Sequence, residues 1–196
     1  MTKTYRNSFS SKGVIPPKYA FTLLIPFRNL FLSPGKLIQR LFLKKDHNVL
    51  EIGPGPGYFS THIAKKLRNG RLVLIDIQKE MLDFAKKRLD KRGIKNVDYK
   101  LTDGNSLDLQ NNSFDRVVMV TVIGEVENKD TYLNEIHRIL KADGILSISE
   151  LAGDPDKLSL DEIQSLVSPH GFELKDTFGS RLNYTVNFRK TVKRNI

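Results

Sequence analysis

Asn48-Val49-Leu50-Glu51-Ile52-Gly53-Pro54-Gly55-Pro56-Gly57-Tyr58-Phe59-Ser60 decides how the rest of this chain is read. Val49 to Ile52 is a short apolar run, the form of a strand buried on both faces of a parallel sheet. Three glycines then alternate with two prolines. Phe59, Ile63, Ala64 and Leu67 follow at helical spacing. Strand, glycine turn and helix together make the nucleotide-type cofactor corner of an open α/β sheet. Glycine suits that corner because it tolerates φ > 0 and because a side chain would keep a ligand off the backbone. The turn is not the G-x-G-x-x-G of dinucleotide folds, and it lacks the Lys-Ser/Thr ending of a phosphate-cradling loop. Pro56 also removes an N–H that a pyrophosphate would use.

Outward from the turn, Asn69-Gly70 closes the helix and Arg71-Leu72-Val73-Leu74-Ile75-Asp76 reads as the second strand. Asp76 ends it about 20 residues after the turn, where such folds place a carboxylate on the ribose hydroxyls. An ionised carboxylate only accepts hydrogen bonds, which matches a diol. A helix N-cap is the competing role for Asp76.

Glu51-Ile52-Gly53-Pro54-Gly55-Pro56-Gly57, with Asp76 in register, resembles the first motif of the class I S-adenosylmethionine-dependent methyltransferases. The resemblance spans residues 34–192. It is similar in pattern to the small-molecule members that act in menaquinone and ubiquinone biosynthesis. It implies S-adenosylmethionine as cofactor and a Rossmann-like α/β fold. That fold is a seven-stranded, mostly parallel sheet with helices on both faces and an antiparallel C-terminal hairpin. It also implies that the backbone of Gly53, Pro54, Gly55 and Gly57 cradles the methionine part. Glu51 is then placed below the cofactor, and Asp103 with Gly104 at the adenine. Tyr58, Ile77, Met81, Asn105 and Thr121 complete the implied cofactor contacts, Met81 being equally suited to the core.

Residues 79–92 read as the next helix, with Met81, Leu82, Ala85 and Leu89 on its inner face. Residues 97–101, 114–120 and 145–150 read as the third, fourth and fifth strands, and 172–177 and 184–190 as the hairpin. Ser33-Pro34-Gly35 and Ser159-Leu160-Asp161-Glu162 read as helix starts, the second with a capping box. After the fourth strand stands Thr121-Val122-Ile123-Gly124-Glu125-Val126. Amino-methyltransferases of DNA and RNA often carry Asn/Asp-Pro-Pro-Tyr/Phe there, and its absence argues against base modification. Glu125 is the ionisable group in the right neighbourhood, suited to orienting a nucleophile or taking its proton, or else to capping the next helix. Tyr184 is a second catalytic candidate.

The 196 residues allow one domain with a substantial core. With no cysteine, disulfides, zinc–thiolate sites and thiol nucleophiles are excluded. His47, His62, His137 and His170 lack ligand spacing, so no metal is expected. The net charge of +10 is spread over helix faces opposite the apolar stripes, the pattern of a solvated surface more than of a nucleic-acid groove. No apolar run is long enough to span a bilayer and no signal peptide is apparent, which suits a cytoplasmic protein. Residues 1–33 read as an arm or lid ahead of an expected methyltransferase domain at 34–196. Its 19–32 segment is unusually apolar and aromatic. Three readings compete for it: a packed arm, a lid over the substrate, or peripheral contact with a membrane surface. Tyr19, Phe21, Phe27, Phe31 and Tyr184 suggest a small, apolar or lipid-like acceptor. A protein or RNA methyltransferase using the basic surface, or a non-catalytic cofactor-binding module, are the alternatives. The sequence is silent on oligomeric state.

Overall fold

In the computed structural model, which describes residues 32–191, strand β1 (Asn48–Ile52) lies at the middle of the sheet. Leu50 and Ile52 point to one face and Val49 to the other, all at most 1 % exposed. That two-sided burial is why the run is continuously apolar rather than alternating. Strands β2 (Arg71–Asp76) and β3 (Val97–Leu101) extend the sheet on one side, β4 (Phe114–Val120) and β5 (Leu140–Glu150) on the other. These five are parallel. β6 (Phe172–Gly179) and β7 (Tyr184–Lys190) complete an order of β3-β2-β1-β4-β5-β7-β6, with β7 antiparallel to both of its neighbours. The expected seven-stranded, mostly parallel sheet with a C-terminal hairpin is what the chain adopts.

Helices α1 (Pro34–Arg40), α2 (Ser60–Lys66) and α3 (Lys79–Asp90) contribute Leu37, Ile63, Ala85 and Leu89 to the apolar core on one face. α4 (Lys129–Ile139) and α5 (Leu160–Val167) contribute Leu133, Ile136, Ile163 and Val167 on the other. Their starts are chemically marked. Ser33 accepts from the Lys36 amide, and Ser159 with Glu162 forms the expected capping box. Asn128 caps α4 through the Thr131 amide at 3.2 Å, so Glu125 does not cap that helix. His137 packs edge-on against Phe172, with ring centroids 5.4 Å apart.

Three boundaries differ from the sequence reading. β5 begins at Leu140, not at Ile145, because the pairing with β4 shifts between Phe114 and Arg116 and absorbs the Lys141-Ala142-Asp143-Gly144 turn signal as an irregularity. α3 stops at Asp90, before Gly93 turns left-handed at φ 68°. β6 runs on to Gly179, bulging between Leu174 and Asp176. The apolar segment with Tyr19, Phe21, Phe27 and Phe31 lies outside the described residues. Among the described residues, no helix is long and apolar enough to cross a membrane.

Candidate cofactor site and acceptor pocket

The strand order reverses between β1 and β4, which opens a crevice at their C-terminal ends, the place where open α/β sheets bind ligands. The glycine turn forms one wall. Gly53, Gly55 and Gly57 all have positive φ, at 63°, 52° and 76°. Their reasons differ. A Cβ on Gly53 would lie 2.6 Å from Val122 Cγ2, on the segment that follows β4. A Cβ on Gly57 would lie 3.1 Å from both the Ala85 backbone and Leu89 of α3. The turn is therefore shaped partly by protein packed against it and not only by room for a ligand. Its amides are anchored as well: Gly53 N–H donates to Ile75 O at 2.9 Å and Gly57 N–H to Pro54 O at 3.1 Å.

Asp76 ends β2 beside this turn. Its carboxylate accepts from the Gln78 amide at 2.9 Å and faces the amides of Ile77 and Gly55, and burial raises its pKa to about 6 against those contacts. Asp76 is therefore joined to the glycine turn and does not cap α3, whose N-cap is Gln78. The loop after β3 adjoins it, since Thr102 N–H donates to Asp76 O at 3.1 Å. In that loop Gly104 is buried at φ 81°, while Asp103 is exposed and accepts from the Asn105 amide at 2.9 Å. That hydrogen bond holds the Asp103 carboxyl below the ordinary range. Pro54, Tyr58 and Met81 are buried, Tyr58 edge-on against Phe59. Glu51 lies beneath the turn at 3 % exposure, its pKa raised to about 7 by burial and moderated by Ser60.

The opposite wall follows β4. Thr121 holds φ 55°, a left-handed conformation that costs a β-branched residue about 1–3 kcal/mol and gathers at functional sites. Its amide is pinned to Ser149 O at 2.8 Å. A one-turn 3₁₀ helix (Ile123–Glu125) then packs Gly124 so tightly on the loop after β5 that a Cβ there would meet Asp156 O at 1.9 Å. Glu125 is thereby brought close to Asp154, Asp156 and Asp76, and burial plus those charges raises its pKa to about 8. Tyr184 is 3 % exposed, and its hydroxyl donates to Leu158 O, tying the hairpin to the same loop.

Glu150 was not legible as a functional residue. It ends β5 as Asp76 ends β2, 1 % exposed, and its pKa is raised to about 8 by burial and by Asp154 and Glu125, against Lys157. An acid closing a buried strand is the signal that would have found it.

These raised values have a measurable consequence. Unfolded, the three glutamates lose their protons near 4.5; folded, Glu51 keeps its proton to about 7, and Glu125 and Glu150 keep theirs to about 8. The folded state thus binds more protons in that window, and stability falls as pH rises through it. His47 and His62, both pushed down chiefly by burial, oppose this only below 6.5. The melting temperature should therefore drop between pH 6.5 and about 8.5, and Glu150→Gln should flatten the drop. A wild-type profile that is level or rising there would overturn these assignments.

The residues fit an adenosyl sulfonium carrying an amino-acid tail. Gly53 and Gly55 are part-exposed in the turn, Asp76 offers an acceptor for a diol, and Glu51 Oε2 is buried with no donor among the described residues. The methyltransferase-domain family model matches residues 43–179. The ubiquinone/menaquinone biosynthesis C-methyltransferase of Hydrogenovibrio crunogenus is 38% identical over 106 residues, 53% of this chain and 42% of that protein. Its Coxiella burnetii counterpart is 27% identical over 144 residues, 72% of this chain and 56% of that protein. The chain thus spans about half the length of the curated relatives it matches. Among solved structures, a SAM-dependent methyltransferase from Aquifex aeolicus superposes with a TM-score of 0.85 at 23% identity, covering 91% of this chain and 100% of that one. At that identity the likeness speaks for the fold. With the methyltransferase-domain family model matching most of the chain, this protein belongs to that methyltransferase-domain family.

Proposed function

We propose that this chain transfers the methyl group of S-adenosylmethionine to a small, apolar or lipid-like acceptor. The observation that carries the reading is the placement of the strand-ending Asp76 carboxylate beside the glycine turn at the sheet's switch point. The sulfonium supplies an electrophilic methyl carbon, so the protein's task is alignment and, for a protonated nucleophile, proton removal. In this reading the backbone of residues 53–57 lies along the methionine part, with Glu51 and Tyr58 behind it. Asp76 accepts from both ribose hydroxyls. Ile77, Met81, Asp103, Gly104 and Asn105 enclose the adenine, Asp103 acting through its backbone since its carboxylate closes its own turn. Thr121 and Glu125 face the acceptor, and Glu125 is the proton acceptor, its pKa raised to about 8 by burial and neighbouring acids. Tyr184 positions the loop over that side. Residues 1–33 serve as the arm or lid over the acceptor.

The relatives' names support a lipid-like acceptor, because ubiquinone and menaquinone are apolar molecules. Incubation of the full chain with methyl-labelled S-adenosylmethionine and separate lipid, protein and RNA fractions tests the reading. Label is expected in the solvent-extractable lipid fraction. Label confined to protein or RNA would overturn the acceptor class, and failure to bind S-adenosylhomocysteine would overturn the whole reading.

A further inference from the structure

Glu150 is buried at 1 % exposure with neither carboxyl oxygen hydrogen-bonded among the described residues. Buried polar groups without a partner are rare in folded proteins, because each forfeits its hydration. The obvious internal donors are engaged elsewhere. Tyr184 stands opposite Glu150 in register on β7, yet its hydroxyl donates to Leu158 O. Lys157 donates to Arg181 O at 2.7 Å and Leu182 O at 3.0 Å, its Nζ 5.6 Å from the centre of the Tyr184 ring. Lys129 donates to Gly124 O and Val126 O.

Other carboxylates converge on the same place. The Gly124–Asp156 contact closes the Ile123–Glu125 turn onto the loop after β5, which brings Asp154 and Asp156 close to Glu125, and Glu125 and Asp154 close to Glu150. Glu125, Glu150 and Asp156 take part in none of the ion pairs among the described residues. No group of three or more acids or histidines there is arranged to hold a metal ion. A chain of net charge +10 thus gathers acidic side chains at one end of its crevice, around a carboxyl that lacks a donor among the described residues.

From this convergence we infer that Glu150 and Glu125 form a socket for a cationic nitrogen on the acceptor, so that the substrate is an apolar molecule with an ammonium head group. The inference rests on the methyltransferase reading above and narrows its acceptor. A protonated amine supplies up to three N–H donors and a positive charge, and hydrogen bonds between charged partners are the strong ones. A neutral ring, such as a quinone, would leave Glu150 as it stands now. Glu125 is the more exposed of the two acids and Glu150 the buried one.

Calorimetry on the full chain, saturated with S-adenosylhomocysteine, tests this with two probes of equal shape: 1-naphthylmethylamine and the neutral 1-naphthylmethanol. The amine should bind at least tenfold more tightly. Glu150→Gln should cut that preference at least fivefold while leaving S-adenosylhomocysteine affinity within twofold. Asp156→Asn, which leaves the buried carboxyl in place, should cut the preference at least threefold. Equal affinity for the two probes, no measurable binding of the amine, or a preference unchanged in both variants would overturn the socket alone. So would an amine affinity that falls only in step with cofactor affinity, since the acids would then serve the cofactor. A wild-type chain that fails to bind S-adenosylhomocysteine removes the methyltransferase reading and the socket with it.

Discussion

Gly53→Ala is expected to lower the melting temperature by about 5–15 °C and to weaken S-adenosylhomocysteine binding at least tenfold. Two separate costs combine. At φ 63° an alanine sits in the left-handed region, worth roughly 1–2 kcal/mol. Its new Cβ would also lie 2.6 Å from Val122 Cγ2, and Val122 is a stiff, β-branched side chain with 5 % exposure. Overpacking of that kind costs about 1–3 kcal/mol. Each kcal/mol moves the midpoint of a chain this size by about 2–4 °C. The Gly53→Ala, Val122→Ala double variant separates the two, because the second change makes room but leaves the backbone strain. It should recover part of the loss after allowance for the cavity that Val122→Ala makes alone. A single variant within about 0.5 kcal/mol of wild type would show that the close approach of these two segments is not needed.

Asp76→Ala is expected to weaken S-adenosylhomocysteine binding by about 1–3 kcal/mol, or roughly 5- to 150-fold. The proposed ribose contact loses its acceptor, and the Gln78 amide loses its own even in the free protein. Asp76→Asn distinguishes these effects. Its carbonyl oxygen can still accept from the turn, so stability should stay near wild type, while the missing second acceptor and charge should still weaken binding. Calorimetry gives the affinities and a thermal melt gives the stabilities. Unchanged affinity in both variants would remove Asp76 from the cofactor site.

The parts of this site that the sequence revealed are those whose physics is local. Val49 to Ile52 is apolar throughout because the strand is buried on both faces, and the glycines follow because the chain turns left-handed at once. Asp76 closes its strand where a carboxylate is useful, and Ser159 caps its helix with residues three apart. What was not legible depends on contacts between distant segments. Nothing near Gly53 in the chain announces that Val122 presses on it, and nothing near Gly124 announces Asp156. Glu125 read equally well as a helix cap until Asn128 was seen to hold that position. Glu150 read as the end of a strand because its isolation is a property of what surrounds it. The start of β5 was misplaced for a related reason: Asp143-Gly144 is a turn signal, and pairing with β4 overrides it.

The position of β7 bears on how this protein comes to be made. The strand lies between β5 and β6 although it follows both in the chain. During synthesis every earlier strand emerges while the flank of β5 still waits for its neighbour, with unsatisfied backbone groups along Ile145 to Glu150. An open flank of that kind invites pairing with another polypeptide. The sheet is therefore completed only after all its other strands have been made, and a nascent product released before Tyr184 would carry an adhesive margin that chaperones must shield.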